Sequence, residues 1–141
     1  MEPILIKISG SQNFNGEEQE NNIELTSEGF IEHTKNGVEI TYEESELTGM
    51  QGTTTKITVD RDGIITLNRS GTTNSCLVFE EGKKNLSYYD TDSGAFSVSV
   101  YANYLEADIN ESGGSIEIDY TLEVDGGMVG QNEISISFTY A

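Results

Sequence analysis

Ile116-Glu117-Ile118-Asp119-Tyr120-Thr121-Leu122-Glu123-Val124 alternates apolar and polar residues without a break. Successive side chains of a strand point to opposite faces. Ile116, Ile118, Tyr120, Leu122 and Val124 therefore share one face, and Glu117, Asp119, Thr121 and Glu123 the other. An amphipathic helix would space its apolar residues three and four apart, and that pattern is missing. The stretch reads as a strand with one buried face and one wet face.

The pattern continues in both directions. Downstream, Gly126-Gly127 marks a turn, and Ile134, Ile136, Phe138 and Tyr140 alternate with Ser135, Ser137 and Thr139. Upstream, Gly113-Gly114 marks another turn. Before it runs the longest alternation, with Phe96, Val98, Val100, Ala102 and Tyr104 on one face and Ser97 and Ser99 on the other. Nearer the start, Ile4, Ile6 and Ile8 share a face. Ile23 and Leu25 resume the pattern after a polar break at 15–22, and Gly29 predicts a bulge or a kink. Asn36-Gly37 signals a hairpin into Val38, Ile40 and Tyr42. Residues 47–52 read as a loop. Asp60-Arg61-Asp62-Gly63 signals a hairpin between Ile57-Val59 and Ile65-Leu67. Leu77-Val78-Phe79 sits in a strand ended by Glu81-Gly82, and residues 86–90 form another, ended by Asp92-Ser93-Gly94.

These segments make eight to ten strands with hairpin-length connections, so sequence neighbours pair antiparallel. A sheet with one wet face must close on itself or fold into a sandwich. Up-and-down connectivity favours closure, which also removes the edges. The expectation is one all-β domain over 1–141, a single antiparallel up-and-down β-barrel of about eight to ten strands. An immunoglobulin-like sandwich is the alternative, but the tight turns leave little chain for its crossovers.

Composition excludes several classes. The 141 residues carry 25 acidic and 7 basic side chains, a formal charge of −18. Phe, Ile, Leu and Val still make up about a quarter of the chain, above the range of charged disordered sequences. Clustered Lys and Arg, which nucleic acid and anionic membranes need, are missing; only Lys83 and Lys84 adjoin. One cysteine, Cys76, cannot form an internal disulfide. The start has no basic, then apolar, leader, and no run is long enough for a membrane helix, so the expected location is the cytoplasm. Ten Glu and one base lie between Glu17 and Glu46. That stretch is a solvated face or a docking surface for a basic protein partner.

The chain resembles the YwiB-like proteins, small bacterial barrels of the calycin (lipocalin-like) group with no assigned function. The markers are the Gly-containing loop before Thr55-Lys56-Ile57-Thr58-Val59, then Asp62-Gly63 and Arg69-Ser70-Gly71. A Tyr at 88 or 89, Gly94 before the long alternating strand, and Tyr120 in the penultimate strand follow. The resemblance runs over nearly the whole chain. It implies a calycin-like barrel and a cytoplasmic protein, and no catalytic residues.

Catalytic groups are scarce. The one histidine, His33, reads as a surface or strand-end residue, with nothing placing it beside a nucleophile. Cys76 reads as a small core hydrophobe. No metal site is expected with one Cys and one His, and no cofactor. Asp90-Thr91-Asp92-Ser93-Gly94 and Asp60-Arg61-Asp62-Gly63 fail the calcium-loop pattern and read as turns. Glu43 and Glu44 adjoin on a strand, so they point to opposite faces and cannot flank one bond. An enzyme is not expected.

Arg69 is the informative polar residue, because it continues the inward face of Ile65 and Leu67. A buried guanidinium is costly unless paired. Structurally it would bond carbonyls or an inward carboxylate near a barrel end. Functionally it would bind a ligand carboxylate or phosphate. Tyr104 and Tyr120 also lie on apolar faces, and Tyr42, Tyr88 and Tyr89 are further core-filling candidates. The leading expectation is a barrel binding a small, anionic molecule with Arg69, Tyr104 and Tyr120. The alternative is a filled barrel that serves as a protein-interaction or structural module through its acidic surface.

Overall fold

A computed structural model describes residues 2–14, 23–44, 52–71, 74–91, 94–124 and 128–141 of the protein. The turns expected at 15–22, 47–51, 92–93 and 126–127 lie outside the described residues, as do the side chains of Tyr88, Tyr89 and Asp90. The described residues form ten strands: β1 (Glu2–Phe14), β2 (Ile23–Thr34), β3 (Gly37–Glu43), β4 (Thr53–Asp60), β5 (Ile65–Gly71), β6 (Asn74–Phe79), β7 (Lys84–Thr91), β8 (Gly94–Asn110), β9 (Gly113–Val124) and β10 (Met128–Tyr140). Each pairs antiparallel with its neighbours in sequence, and β1 pairs with β10 to close the barrel. The up-and-down barrel expected from the alternation is present, and it is calycin-like as the resemblance implies. No helix among the described residues is long and apolar enough to cross a membrane.

Closure follows from the two-faced strands. The inner face buries Ile4, Ile6, Ile40, Ile57, Phe79 and Ile116, among others, at 1% exposure or less. Outward partners such as Glu117 and Ser137 are exposed. Local chemistry sets the turns. Asp60 Oδ1 accepts hydrogen bonds from the backbone N–H of Asp62 (2.9 Å) and Ile64 (3.0 Å), and Gly63 supplies a φ of 85°. The β2–β3 turn uses residues 35–36, with Thr34 opposite Gly37.

Two expectations fail on local geometry. Gly29 makes no bulge, because β2 stays in unbroken register with β1 and β3. Its small size serves a close approach instead: a Cβ there would lie 2.7 Å from the Thr41 carbonyl oxygen. A bulge lies in β8, where the register with β9 shifts between Ala102 and Tyr104. One extra residue, Asn103, swaps the faces of everything after it. Ala102 is fully buried, Tyr104 is 45% exposed, and Leu105 takes the inner position opposite Ile118.

Cys76 also departs from expectation. On β6 the buried residues are Ser75, Leu77 and Phe79, so Cys76 is half-buried on the outer face. Beyond Cys76, β6 and β7 part company, since their pairing runs only from Asn74 to Cys76. The amide of Asn85 closes part of that gap by donating to the Val78 carbonyl at 3.3 Å.

Candidate functional site

The interior has a lower and an upper half. Take the lower end as the one where β1 begins and β10 ends. There the inward residues are almost all aliphatic or aromatic. Towards the upper end the inward alternations turn polar: Ile40 leads to Tyr42 and Glu44, Ile57 to Thr55 and Thr53, Leu67 to Arg69, Leu77 to Ser75, and Ile134 to Asn132. Period two keeps each of these side chains inside although none is apolar in full.

Four of them stand side by side. Tyr42 on β3 is opposite Thr55 on β4, Thr55 opposite Arg69 on β5, and Arg69 opposite Ser75 on β6. Glu44 follows Tyr42 on the same face and holds one more rung, its N–H donating to the Thr53 carbonyl at 2.9 Å. Cross-strand neighbours on one face lie close enough to interact, and these do. The Thr55 hydroxyl donates to Glu44 Oε1 at 2.7 Å. Arg69 Nε stands 3.8 Å from the same oxygen, with side chains 15% and 1% exposed. Glu44 is thus the inward carboxylate that a buried Arg69 requires.

The Tyr42 phenol is held above the usual tyrosine range. Burial is the main cause, followed by the charge of Glu44, to which the phenol is also hydrogen bonded. Tyr42 therefore stays neutral and donates. Glu44 receives the Thr55 hydroxyl and the Tyr42 phenol, about half of what a carboxylate can accept. Its contact with Arg69 is a charge pairing beyond hydrogen-bond length.

That leaves donors unused. Among the described residues, four buried side-chain atoms have no hydrogen-bond partner: Arg69 Nε, Ser75 Oγ, Ser87 Oγ and Asn132 Nδ2. All four face inward. Ser87 is opposite the buried Val98 and shares its face. Buried polar groups are nearly always satisfied, by protein, water or ligand. These four lie on β5, β6, β7 and β10.

The sequence-derived candidates separate. Arg69 faces inward in this layer. Tyr120 is 8% exposed and packs on Phe79, with ring centroids 4.8 Å apart at 59°. It lies in the interior on β9, four strands round from β5. Tyr104 is not inside: the bulge turns it outward, where its hydroxyl bonds Glu106. Glu44, Thr55, Ser75, Ser87 and Asn132 were missed as site residues. For Glu44, Thr55, Ser75 and Asn132 the signal was available, as the polar ends of four inward alternations; Ser87 gave none, because β7 turns Asn85 and Ser87 inward and leaves Leu86 80% exposed.

Elsewhere, His33 is exposed at the end of β2, with Nε2 3.4 Å from the Tyr140 hydroxyl. It borders an open groove of about 460 Å³ at the lower end, with Glu2, Ile109, Asn110, Glu111 and Tyr140. Among the described residues no three His, Cys, Asp or Glu side chains gather to hold a metal ion.

Residues 6–136 match the model of a family described as a domain of unknown function (DUF1934). The chain belongs to the DUF1934 family. Every residue of the polar layer falls inside the DUF1934 match. No curated protein matches the chain. Among solved structures, the crystal structure of the ywiB protein from Bacillus subtilis is similar, with a TM-score of 0.85 at 20% identity. The likeness covers 99% of this chain and 92% of that one. At that identity it is a likeness of fold, and it agrees with the YwiB-like resemblance carried by residues 55–71 and 94–120.

Proposed function

We propose that this DUF1934 barrel is a non-enzymatic, cytoplasmic binding protein that holds a small anionic molecule in its upper half. Arg69 is the anchor, with Ser75 and Ser87 beside it. The observation that carries the reading is the set of unused donors on adjacent strands β5, β6 and β7, next to a carboxylate already occupied by two hydroxyls. An oxyanion supplies the acceptors those donors lack, and a guanidinium is suited to carboxylate or phosphate. Size agrees. Eight strands leave room for side chains or one small ligand, and ten strands enclose more. Tyr104 has no part in this site.

The test is thermal stabilisation by named anions, inorganic phosphate and pentanoate. A ligand at about 100 times its Kd adds about 2.7 kcal/mol to folding stability. At least one anion should raise the melting temperature of the wild type. It should fail to do so in the charge-balanced double variant Glu44→Gln/Arg69→Met, whose own folding is checked by circular dichroism. Equal stabilisation of wild type and double variant, or none of the wild type, would sink the reading.

A second reading keeps a basic protein as the partner. Glu24, Glu28 and Glu32 stand exposed on the outer face of β2, although Glu24 already pairs with Lys7 at 3.1 Å. Glu44 is no part of that surface. Capture that survives Glu28→Gln/Glu32→Gln and is insensitive to salt would count against it.

A further inference from the structure

We infer that Asn132 is a second recognition point on the opposite wall, and that the ligand is a short carboxylate with a neutral hydrogen-bond acceptor at its far end. The inference rests on the reading of Arg69 as the anchor. Asn132 is 6% exposed, and its Nδ2 has no partner among the described residues. In the closed strand order β10 lies five strands from β5 by either route, so the two residues face each other across the barrel.

Register puts them at the same height. The row of paired residues through Arg69 runs one way by Thr55, Tyr42, Gly29 and Ile4, and reaches β10 at Tyr140, its lower end. The other way it runs by Ser75 and Tyr89 to Phe96. Val98 is opposite Val124, and Val124 opposite Met128, so a row through Phe96 passes beyond the upper end of β10. The row therefore climbs as it circles, and Asn132 falls between its two arrivals. The same climb, set by strand tilt in any barrel, brings Ser87 to this level.

The chemistry of the two walls differs. Arg69 is a cation and calls for an anionic group. Asn132 is a neutral amide donor, which a carbonyl, amide or hydroxyl oxygen satisfies without adding charge. A second anionic group is disfavoured by Glu44 in the interior and by the formal charge of −18 on the whole chain. The polar layer rests on aliphatic core, on which an alkyl chain joining the two ends would lie. An oxo acid fits this description, and the plain alkanoate of equal length does not. A site that hydrogen bonds one oxygen rejects the analogue lacking it, because its own donor is then left unpaired.

The experiment compares 4-oxopentanoate and 5-oxohexanoate with pentanoate and hexanoate by calorimetric titration of the full chain. The oxo acids should bind the wild type at least about tenfold tighter. Asn132→Leu should bring the oxo acids down to the level of the alkanoates of equal length. Asn132→Ala serves as the second variant and should behave alike. An oxo preference that survives both substitutions, or none in the wild type, overturns the inference while alkanoate binding keeps the Arg69 reading. Binding of phosphate alone does the same. Carboxylate binding that persists in Glu44→Gln/Arg69→Met overturns both.

Discussion

Breaking the buried ion pair from one side should cost far more than removing it from both. Arg69 Nε and Glu44 Oε1 are 3.8 Å apart. At an effective dielectric constant of about 20, unit charges at that distance attract by about 4 kcal/mol. Arg69→Met forfeits the attraction and leaves a carboxylate whose side chain is 1% exposed. Removing one partner of such a pair costs about 3–5 kcal/mol. For 141 residues, an unfolding entropy of about 2.1 cal/mol/K per residue turns that into a fall of roughly 10 °C or more in Tm. Glu44→Gln should cost a similar amount, since it leaves the Arg69 guanidinium, 15% exposed, without its counter-charge. In Glu44→Gln/Arg69→Met no charge is stranded, so the double variant should recover at least about 2 kcal/mol relative to the sum of the singles. Urea denaturation of the four proteins at neutral pH, with a constant slope, measures the cycle. Additivity within about 0.5 kcal/mol would refute the pairing.

Tyr42 predicts an alkaline limit. Its folded pKa is raised, mainly by burial and then by Glu44, so its contribution is fully present below the unfolded value near 10 and is lost as pH rises through the folded value. Above about pH 10 the wild type should lose stability more steeply than Tyr42→Phe; parallel urea midpoints would contradict this. Deleting Asn103 should remove the bulge and leave Tyr104 outside and Leu105 inside, in unbroken register with Asp119 and Ile118; amide exchange protection lost across β9 would contradict Asn103 as the extra residue. Gly29→Ala puts a Cβ against the Thr41 carbonyl and should cost about 1–3 kcal/mol, read by thermal melting, with an unchanged Tm as the refuting result. Phe79→Ala empties a fully buried position and should cost about 3–5 kcal/mol; a loss under 1 kcal/mol in urea denaturation would mean the interior there is not packed.

Most of the fold was legible. Ile116 to Val124 and Ile134 to Tyr140 announce themselves by period, and the short Gly- and Asn-rich turns allow only neighbour pairing. Arg69 was legible as an inward residue because Ile65 and Leu67 precede it at period two. Tyr104 was misread because the change of phase after Ala102 was passed over: the apolar residues there are Leu105, Ala107 and Ile109, with Glu106 and Asp108 between them. Glu44 was legible as facing away from Glu43, yet its place beside Arg69 was not. The two are far apart in sequence and meet only through the register of β3, β4 and β5.

The chain by itself determined the strands, their order and the inward face of the strands that alternate cleanly, such as β3, β4, β9 and the second half of β10, because those depend on local alternation and on short turns. Tertiary structure alone decided what the inward polar residues meet. Closure of β1 on β10 and the climb of the paired rows bring the polar ends of separate strands to one height. That is a property of strand tilt summed around the barrel, and no single segment encodes it. The unused donors of Arg69, Ser75, Ser87 and Asn132 exist as a set only there.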